Sequence, residues 1–394
     1  MTDTVLFEEL PCRNGTRIGV ATLNAPKSLN SLTLAMCEAL DARLRQWADD
    51  PGVAVVLLQG AGEKAFCAGG DLQALYRSMQ AHRGADPREN DYASRFFATE
   101  YRLDYLIHTY PKPVIVRGAG IVMGGGVGLM MGASHRVVFE DTRLAMPEIS
   151  IGLFPDVGGS WLLNQAPGRT GLFMGLTGAQ LGAADALFVG AADYHMASRD
   201  WPALMDRLLE LPWTEGEEAP AAPRTHANAA RTGNDMLLHR TLLEAASAQP
   251  AEHGPLRRHQ QLINNVCGQD TLEEIHARIL ALEGHEDPWL ARAAATLKAG
   301  CPGSARLTYA LHRHTRMMAL AEVFRTEYWA ALACTAHGDL AEGIRALIID
   351  KDRQPRWNPA TLAQADEQWV AKFLQPPWPR GQHPLADLGQ DRGG

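Results

Sequence analysis

Three features of the sequence predict an α/β fold. VAVVLLQG, residues 53–60, is a continuous apolar run closed by glycine. A strand of that kind is buried on both faces and therefore needs helices on either side. Twice a short apolar run passes through glycines into a helical pattern, in AFCAGGDLQALY (65–76) and IVMGGGVGLMM (121–131). Beyond about residue 259 only amphipathic helical segments follow, such as DTLEEIHARILAL and the long apolar face of 304–334.

The elements can be taken in order. Residues 4–10 and 16–23 read as two strands joined by an Asn14-Gly15 hairpin turn. A loop over 23–32 leads to a helix capped near Ser31, with Leu32, Met36, Leu40, Leu44 and Trp47 along one face. Asp71 is placed to cap the helix after AGGD, and the polar stretch 84–92 reads as a loop. A helix from about Ser94 to His108 carries Glu100 among Phe96, Phe97, Leu103 and Leu106; spacing alone makes Glu100 a solvated residue. Residues 113–156 then give a strand, a glycine run opening an apolar helix, a second strand, and a loop bearing Glu148 and Asp156. Short helices broken at glycines lead to a strand near Ala191–Tyr194.

This order suggests an α/β core over 1–200, a variable insertion or linker over 201–258, a helical region over 259–376 and a disordered tail over 377–394. The insertion is inferred from the Ala-, Pro- and charge-rich composition between 212 and 253.

Composition narrows the function classes. The 394 residues are 46% hydrophobic and 21% charged, with a formal net charge of −8. No global field therefore favours nucleic acid or an anionic membrane. No apolar run approaches the ~20 residues that span a bilayer. Six scattered cysteines without CxxC spacing read as reduced thiols, and MTDTVLFEEL has no signal or transit character. A cytoplasmic location is the resulting expectation. His312 and His314 fall on different helix faces and make no metal pair.

The chemistry concentrates in 113–156. Gly124, Gly125 and Gly126 let backbone approach a ligand closely. A helix starting there presents unpaired N–H groups. Alone, this run reads equally well as a close helix packing contact. AGGD supplies a second glycine N–H at the start of a helix after a strand, and two such donors converging on one oxygen form an oxyanion hole. Glu148 sits among Met146, Ile149, Ile151 and Leu153, and such surroundings raise a carboxyl pKa. Oxyanion donors with carboxylates point to chemistry at a carbonyl.

KAFCAGGDLQALY, MGGGVGLMMGASHRV, LAMPEISIGLFPDVGGSWLL and EGIRALIIDKDRQPRWNP together resemble the crotonase (enoyl-CoA hydratase/isomerase) superfamily, and within it the 3-hydroxyisobutyryl-CoA hydrolase branch. The resemblance runs from about residue 5 to 373. It implies a spiral of ββα units with a helical C-terminal region, and an acyl-CoA thioester substrate with no separate cofactor or metal. It implies Gly70 and Gly125 as oxyanion donors, Glu148 and Asp156 as the catalytic acids, Glu100 as a pocket residue with Gly125, Glu148 and Asp156, and Lys27 near the coenzyme A phosphates. Homo-oligomers formed through the C-terminal helices are common in the superfamily. Its hydratases carry a further glutamate in the glycine-run helix, where this chain has Gly128. Hydration of an alkene needs an acid and a base poised together. The resemblance therefore favours hydrolysis of a 3-hydroxyacyl-CoA thioester in valine catabolism over an enoyl-CoA hydratase or isomerase, or a non-catalytic CoA-binding protein.

Overall fold

The computed structural model describes residues 3–216, 233–246, 252–379 and 381–390. Strands β1 (Val5–Pro11) and β2 (Arg17–Leu23) pair antiparallel, Val5 opposite Leu23 and Pro11 opposite Arg17, as the Asn-Gly turn requires. Helix α1 spans Leu34–Asp49. Its cap is Thr33, whose hydroxyl accepts from Met36 N at 3.2 Å, and not Ser31, whose hydroxyl turns back to Ser28 O. Leu32 is thereby freed from the helix and bridges Gly70 in parallel.

Strand β3 (Val53–Gly60) is buried along its apolar length, in keeping with its composition. From here the chain repeats a ββα turn. β4 (Ala65–Cys67) is followed by α2 (Leu72–Ala81) and α3 (Asp91–His108). β5 (Val114–Gly118) and β6 (Ile121–Met123) are followed by α4 (Gly125–Met131). β7 (His135–Phe139) and β8 (Arg143–Ala145) are followed by short helices, and β9 (Tyr194–Met196) closes the series three residues later than expected. Each turn lays one strand in a six-stranded sheet, ordered β1-β2-β3-β5-β7-β9, and the next in a three-stranded sheet, β4-β6-β8. All pairings after the first hairpin are parallel. The winding brings the turns after β4 and β6 side by side. α3 begins at Asp91, earlier than Ser94, because the Asn90 side chain caps Ala93 N.

A sheet buried on both faces needs a second layer, and part of the expected insertion supplies it. Helices Trp201–Glu210 and Gly233–Ala245 bury Trp201, Leu204, Leu208, Leu238 and Leu242 against Ile18, Val55, Ile115 and Val137. Residues 217–232 and 247–251 of that stretch lie outside the described residues.

On the other side, helix Leu320–His337 packs along α3, with Phe324 against Tyr101 and Tyr105. The expectation of a disordered tail fails over 381–390. Leu385 and Leu388 are buried, Arg325 donates to the carbonyls of both, and Arg102 binds Pro384 O and Asp387. Two apolar residues and four backbone or side-chain acceptors were enough to tie down a segment that looks featureless in composition. Residues 391–394 lie outside the described residues. Among the described residues no helix is long and apolar enough to cross a membrane, and no three metal-ligating side chains gather.

Candidate active site

The two glycine turns meet. Leu32 N donates to Gly69 O and Asp71 N to Leu32 O, so the bridge consumes the groups flanking Gly70 and leaves the Gly70 N–H pointing the other way. Gly69 lies against the start of α4: a Cβ built on it would stand 3.8 Å from Gly125 N. Gly124 has φ +50° and ψ −121°, a conformation only glycine adopts at low cost, and this turns the chain so that Gly125 opens the helix. At the first helical position Gly125 N–H has no carbonyl one turn back to bond. The turns that carry Gly70 and Gly125 thus lie side by side.

Carboxyl groups surround them. Glu148 sits on the single turn Glu148–Ser150, its main-chain oxygen accepting from Ile151 N and Leu153 N. Its Oε1 lies 3.1 Å from where a Gly124 Cβ would be, and its Oε2 is buried with no hydrogen-bond partner. Burial, and next the Asp156 charge, push its pKa well above the ordinary carboxylate value, as its apolar setting dictates. Asp156 accepts a 2.7 Å hydrogen bond from Tyr101 OH. Burial pushes Asp156 up to about 6, while the Tyr101 hydroxyl pulls it down. The next residue, Val157, takes φ +54°, an unfavourable setting for a β-branched side chain and a mark of a held, functional turn.

Glu100 is not solvated. It is 2% exposed, packs directly on Gly125 through Oε1, and has a pKa driven well up by burial and then by Asp156. The spacing misled because α4 brings Gly125, which has no side chain, directly against this position of α3, a contact that local sequence does not reveal. Lys27 lies exposed on the turn Pro26–Ser28; the loop that carries it is tied to the β4 segment by Ala68 N donating to Leu29 O and by the Asn30 side chain donating to Ala61 O and Ala65 O.

Three site residues escaped the sequence reading. Tyr101 orients Asp156. Asp104, one turn beyond Glu100 on α3, is fully buried against Gly128; the i, i+4 pairing of two acids is the signal by which it could have been found. Glu327 left no local signal. From the helix 169 residues later it accepts Gly158 N at 2.7 Å, Ser160 N at 2.9 Å and the Ser160 hydroxyl, holding the turn that carries Asp156. Cys301 N donates to Ile149 O at 2.9 Å and fixes the Glu148 turn in the same way. The C-terminal helices therefore hold both acid-bearing turns.

The sequence profile of the Enoyl-CoA hydratase/isomerase family matches residues 18–374. The chain belongs to the enoyl-CoA hydratase/isomerase family. It is 36% identical over 368 residues to the mitochondrial 3-hydroxyisobutyryl-CoA hydrolase of Danio rerio, covering 93% of this chain and 88% of that protein. With the Homo sapiens protein of the same name it shares 32% identity over 366 residues, 93% of this chain and 87% of the relative. Among solved structures, an enoyl-CoA hydratase from Rhodobacter sphaeroides 2.4.1 superposes with a TM-score of 0.78 at 36% identity, covering 95% of this chain and 98% of the other. A carnitinyl-CoA dehydratase from Mycobacterium thermoresistibile gives 0.79 at 34% identity, with 95% and 97% covered. The family likeness extends to the fold, a crotonase-type arrangement of parallel strands and helices. Both hydrolase relatives are named as mitochondrial, which overturns the cytoplasmic expectation drawn from the N-terminus.

Proposed function

We propose that this protein hydrolyses 3-hydroxyacyl-CoA thioesters, with 3-hydroxyisobutyryl-CoA as its principal substrate, releasing the free acid and coenzyme A in valine catabolism. The observation that supports this reading is Glu148 Oε1 lying against Gly124 at the start of α4, a helix that carries no acidic side chain at Gly128. Relatives named for that hydrolysis, matched along nearly the whole chain, support the substrate.

In the proposed reaction the thioester oxygen sits between the Gly70 and Gly125 N–H groups. A preorganised donor of this kind is worth about 3–4 kcal/mol as the oxyanion develops. The Glu148 carboxylate attacks the carbonyl carbon, the C–S bond breaks, and the coenzyme A thiolate leaves and takes up a proton. Water then cleaves the acyl–glutamyl anhydride, returning Glu148 and the free acid. Asp156, oriented by the Tyr101 hydroxyl, receives the substrate 3-hydroxyl or the attacking water. Glu100 walls the pocket at Gly125, and Lys27 serves the coenzyme A phosphates from the surface loop. Coenzyme A enters as part of the substrate, and the amide pair supplies the carbonyl polarisation for which a metal would otherwise serve.

A panel of acyl-CoA thioesters with free-thiol detection tests the reading. Release of coenzyme A from 3-hydroxyisobutyryl-CoA ahead of crotonyl-CoA hydration is expected; no thiol from any 3-hydroxyacyl thioester would overturn it. Single turnover in ¹⁸O-water that leaves label in the Glu148 carboxyl requires attack by Glu148 and cleavage of the anhydride at the glutamyl carbon; where the label goes to the product alone, trapping with hydroxylamine separates an anhydride cleaved at the acyl carbon from direct activation of water.

A further inference from the structure

A cavity lies at the corner between the two sheets. Its volume is about 370 Å³, within the range of small-molecule pockets. Gly60, Arg117, Ala119, Asp141 and Ser198 line it, so it sits outside the carboxyl ends of β3, β5, β7 and β9. That is the end of a parallel sheet at which ligands bind. The inner strands begin at the same corner: Ala65 opens β4, and Ala119 and Asp141 each stand two residues before β6 and β8. Those three strands run away from the cavity and lead to Gly70, Gly125 and Glu148. The cavity and the candidate active site therefore lie at opposite ends of the three-stranded sheet.

Arg117 is the cation in its wall. The guanidinium lies over Phe139 and Trp201, 5.4 and 5.5 Å from the ring centroids. The two rings hold it in place but accept none of its N–H groups in the plane of the fork. Its Nε is buried with no hydrogen-bond partner, and Asp141 acts on it only through space. Burial lowers its pKa from the ordinary value, as expected of a cation short of partners. Arg136, on the neighbouring strand β7, shows the usual solution: its Nε and a terminal nitrogen donate to Asp193 at 2.9 and 2.7 Å. Arg117 has the same planar fork, suited to two oxygens of one anion, and turns it to an open cavity.

We propose that this cavity is a second ligand site, separate from the acyl-CoA pocket, and that it takes a small, singly charged carboxylic acid on the Arg117 fork. The other lining residues choose among anions. Glu63 and Asp141 are exposed acids of the same cavity, and they oppose a doubly charged phosphate twice as strongly as a single carboxylate. Ala65, Phe66 and Ala119 offer apolar surface for a short carbon chain. The same two acids can accept from a hydroxyl or an ammonium group on that chain, so hydroxy acids and amino acids are the two sources of this chemistry.

Titration calorimetry on the full chain tests this with propionate, lactate, alanine and inorganic phosphate as probes. At least one of the three carboxylates should bind, and more tightly than phosphate; lactate against alanine then tells a hydroxy-acid source from an amino-acid one. Arg117→Met should weaken that binding about tenfold or more, the scale of hydrogen bonds to a charged group. Arg117→Lys keeps the charge and the stem but not the fork, and should weaken it by a smaller factor. A thermal melt without ligand shows whether each variant has folded. Asp141→Asn, at an exposed position, covers the case in which Arg117→Met does not fold: it removes a like charge and should tighten propionate binding at low salt. No heat from any carboxylate, tighter binding of phosphate, or affinities that these substitutions leave unchanged would overturn the proposal. Displacement of the bound acid by coenzyme A would also overturn it, by assigning the cavity to the acyl-CoA pocket. None of these readouts uses turnover, so the result stands apart from the hydrolase reading.

Discussion

Asp104 on α3 and Gly128 on α4 are fitted to each other: the aspartate Oδ2 is 2.9 Å from the position of a Gly128 Cβ, and Val157 Cβ is 2.7 Å from the same point. Any side chain at 128 must displace the residue beside Asp156. Gly128→Ala should therefore cost about 1–3 kcal/mol of stability, as overpacking does, read by urea titration. Gly128→Glu should not confer hydration of crotonyl-CoA, because the space it needs is taken. Measurable hydration by a folded Gly128→Glu variant would show that the pocket opens more readily than this packing allows.

Glu148→Gln keeps the shape of the turn and removes the reactive carboxylate. Loss of a proton-transfer or nucleophilic group of this kind costs roughly 10²–10⁴-fold in rate. The melting temperature should hold or rise, because a buried, unpartnered oxygen of an ionisable group is replaced by a neutral amide. Steady-state kinetics beside a thermal melt checks both, and a rate within tenfold of wild type would remove Glu148 from the chemistry.

Tyr101→Phe deletes the hydroxyl that lowers the Asp156 pKa. Asp156, held at about 6 with that bond in place, should then titrate at a higher pH. The limb of the pH–rate profile set by Asp156 should move toward neutrality, with activity at pH 6 falling more than activity at pH 8. A profile that merely scales down would mean that the phenol packs but does not tune.

Sequence patterning made some of this arrangement legible and hid the rest. Continuous burial of Val53–Gly60 and the strand-to-helix glycine turns were readable because period and breaker residues are local properties. The meeting of the Gly69 turn with Gly125, and of Gly124 with Glu148, is not a local property, since nothing local says that two turns over fifty residues apart will meet. Glu100 was misread as solvated because α4 brings Gly125 against it, and Glu327 went unnoticed because the helix Leu320–His337 arrives from far along the chain to grip Gly158 and Ser160. Thr33 displaced Ser31 as cap because Leu32 was required for the bridge to Gly70.

Glu327 should also shape the stability of the protein against pH. Burial pushes its pKa from 4.5 up to about 8, outweighing the three donors that pull it down. The folded chain then holds a proton that the unfolded chain has released, so this contribution is complete below about pH 4.5 and is lost as pH rises through about 8. Glu327→Gln should flatten the decline in stability between pH 5 and pH 8, measured by denaturant titration. Glu327→Ala leaves two buried N–H groups without an acceptor and should cost about 1–3 kcal/mol for each. A decline with pH that Glu327→Gln leaves unchanged would assign the proton elsewhere.

The grip of Glu327 on Gly158, 169 residues earlier, has a meaning in time as well as in space. At about 5–20 residues per second, a ribosome that has finished the Asp156 turn works for roughly 10–30 s more before the residue that holds it exists. During that interval the spiral can wind, but the acid turn has no clasp. A nascent chain arrested before 327 should therefore be catalytically silent however well its strands have paired, and the last helices act as the step that arms the enzyme.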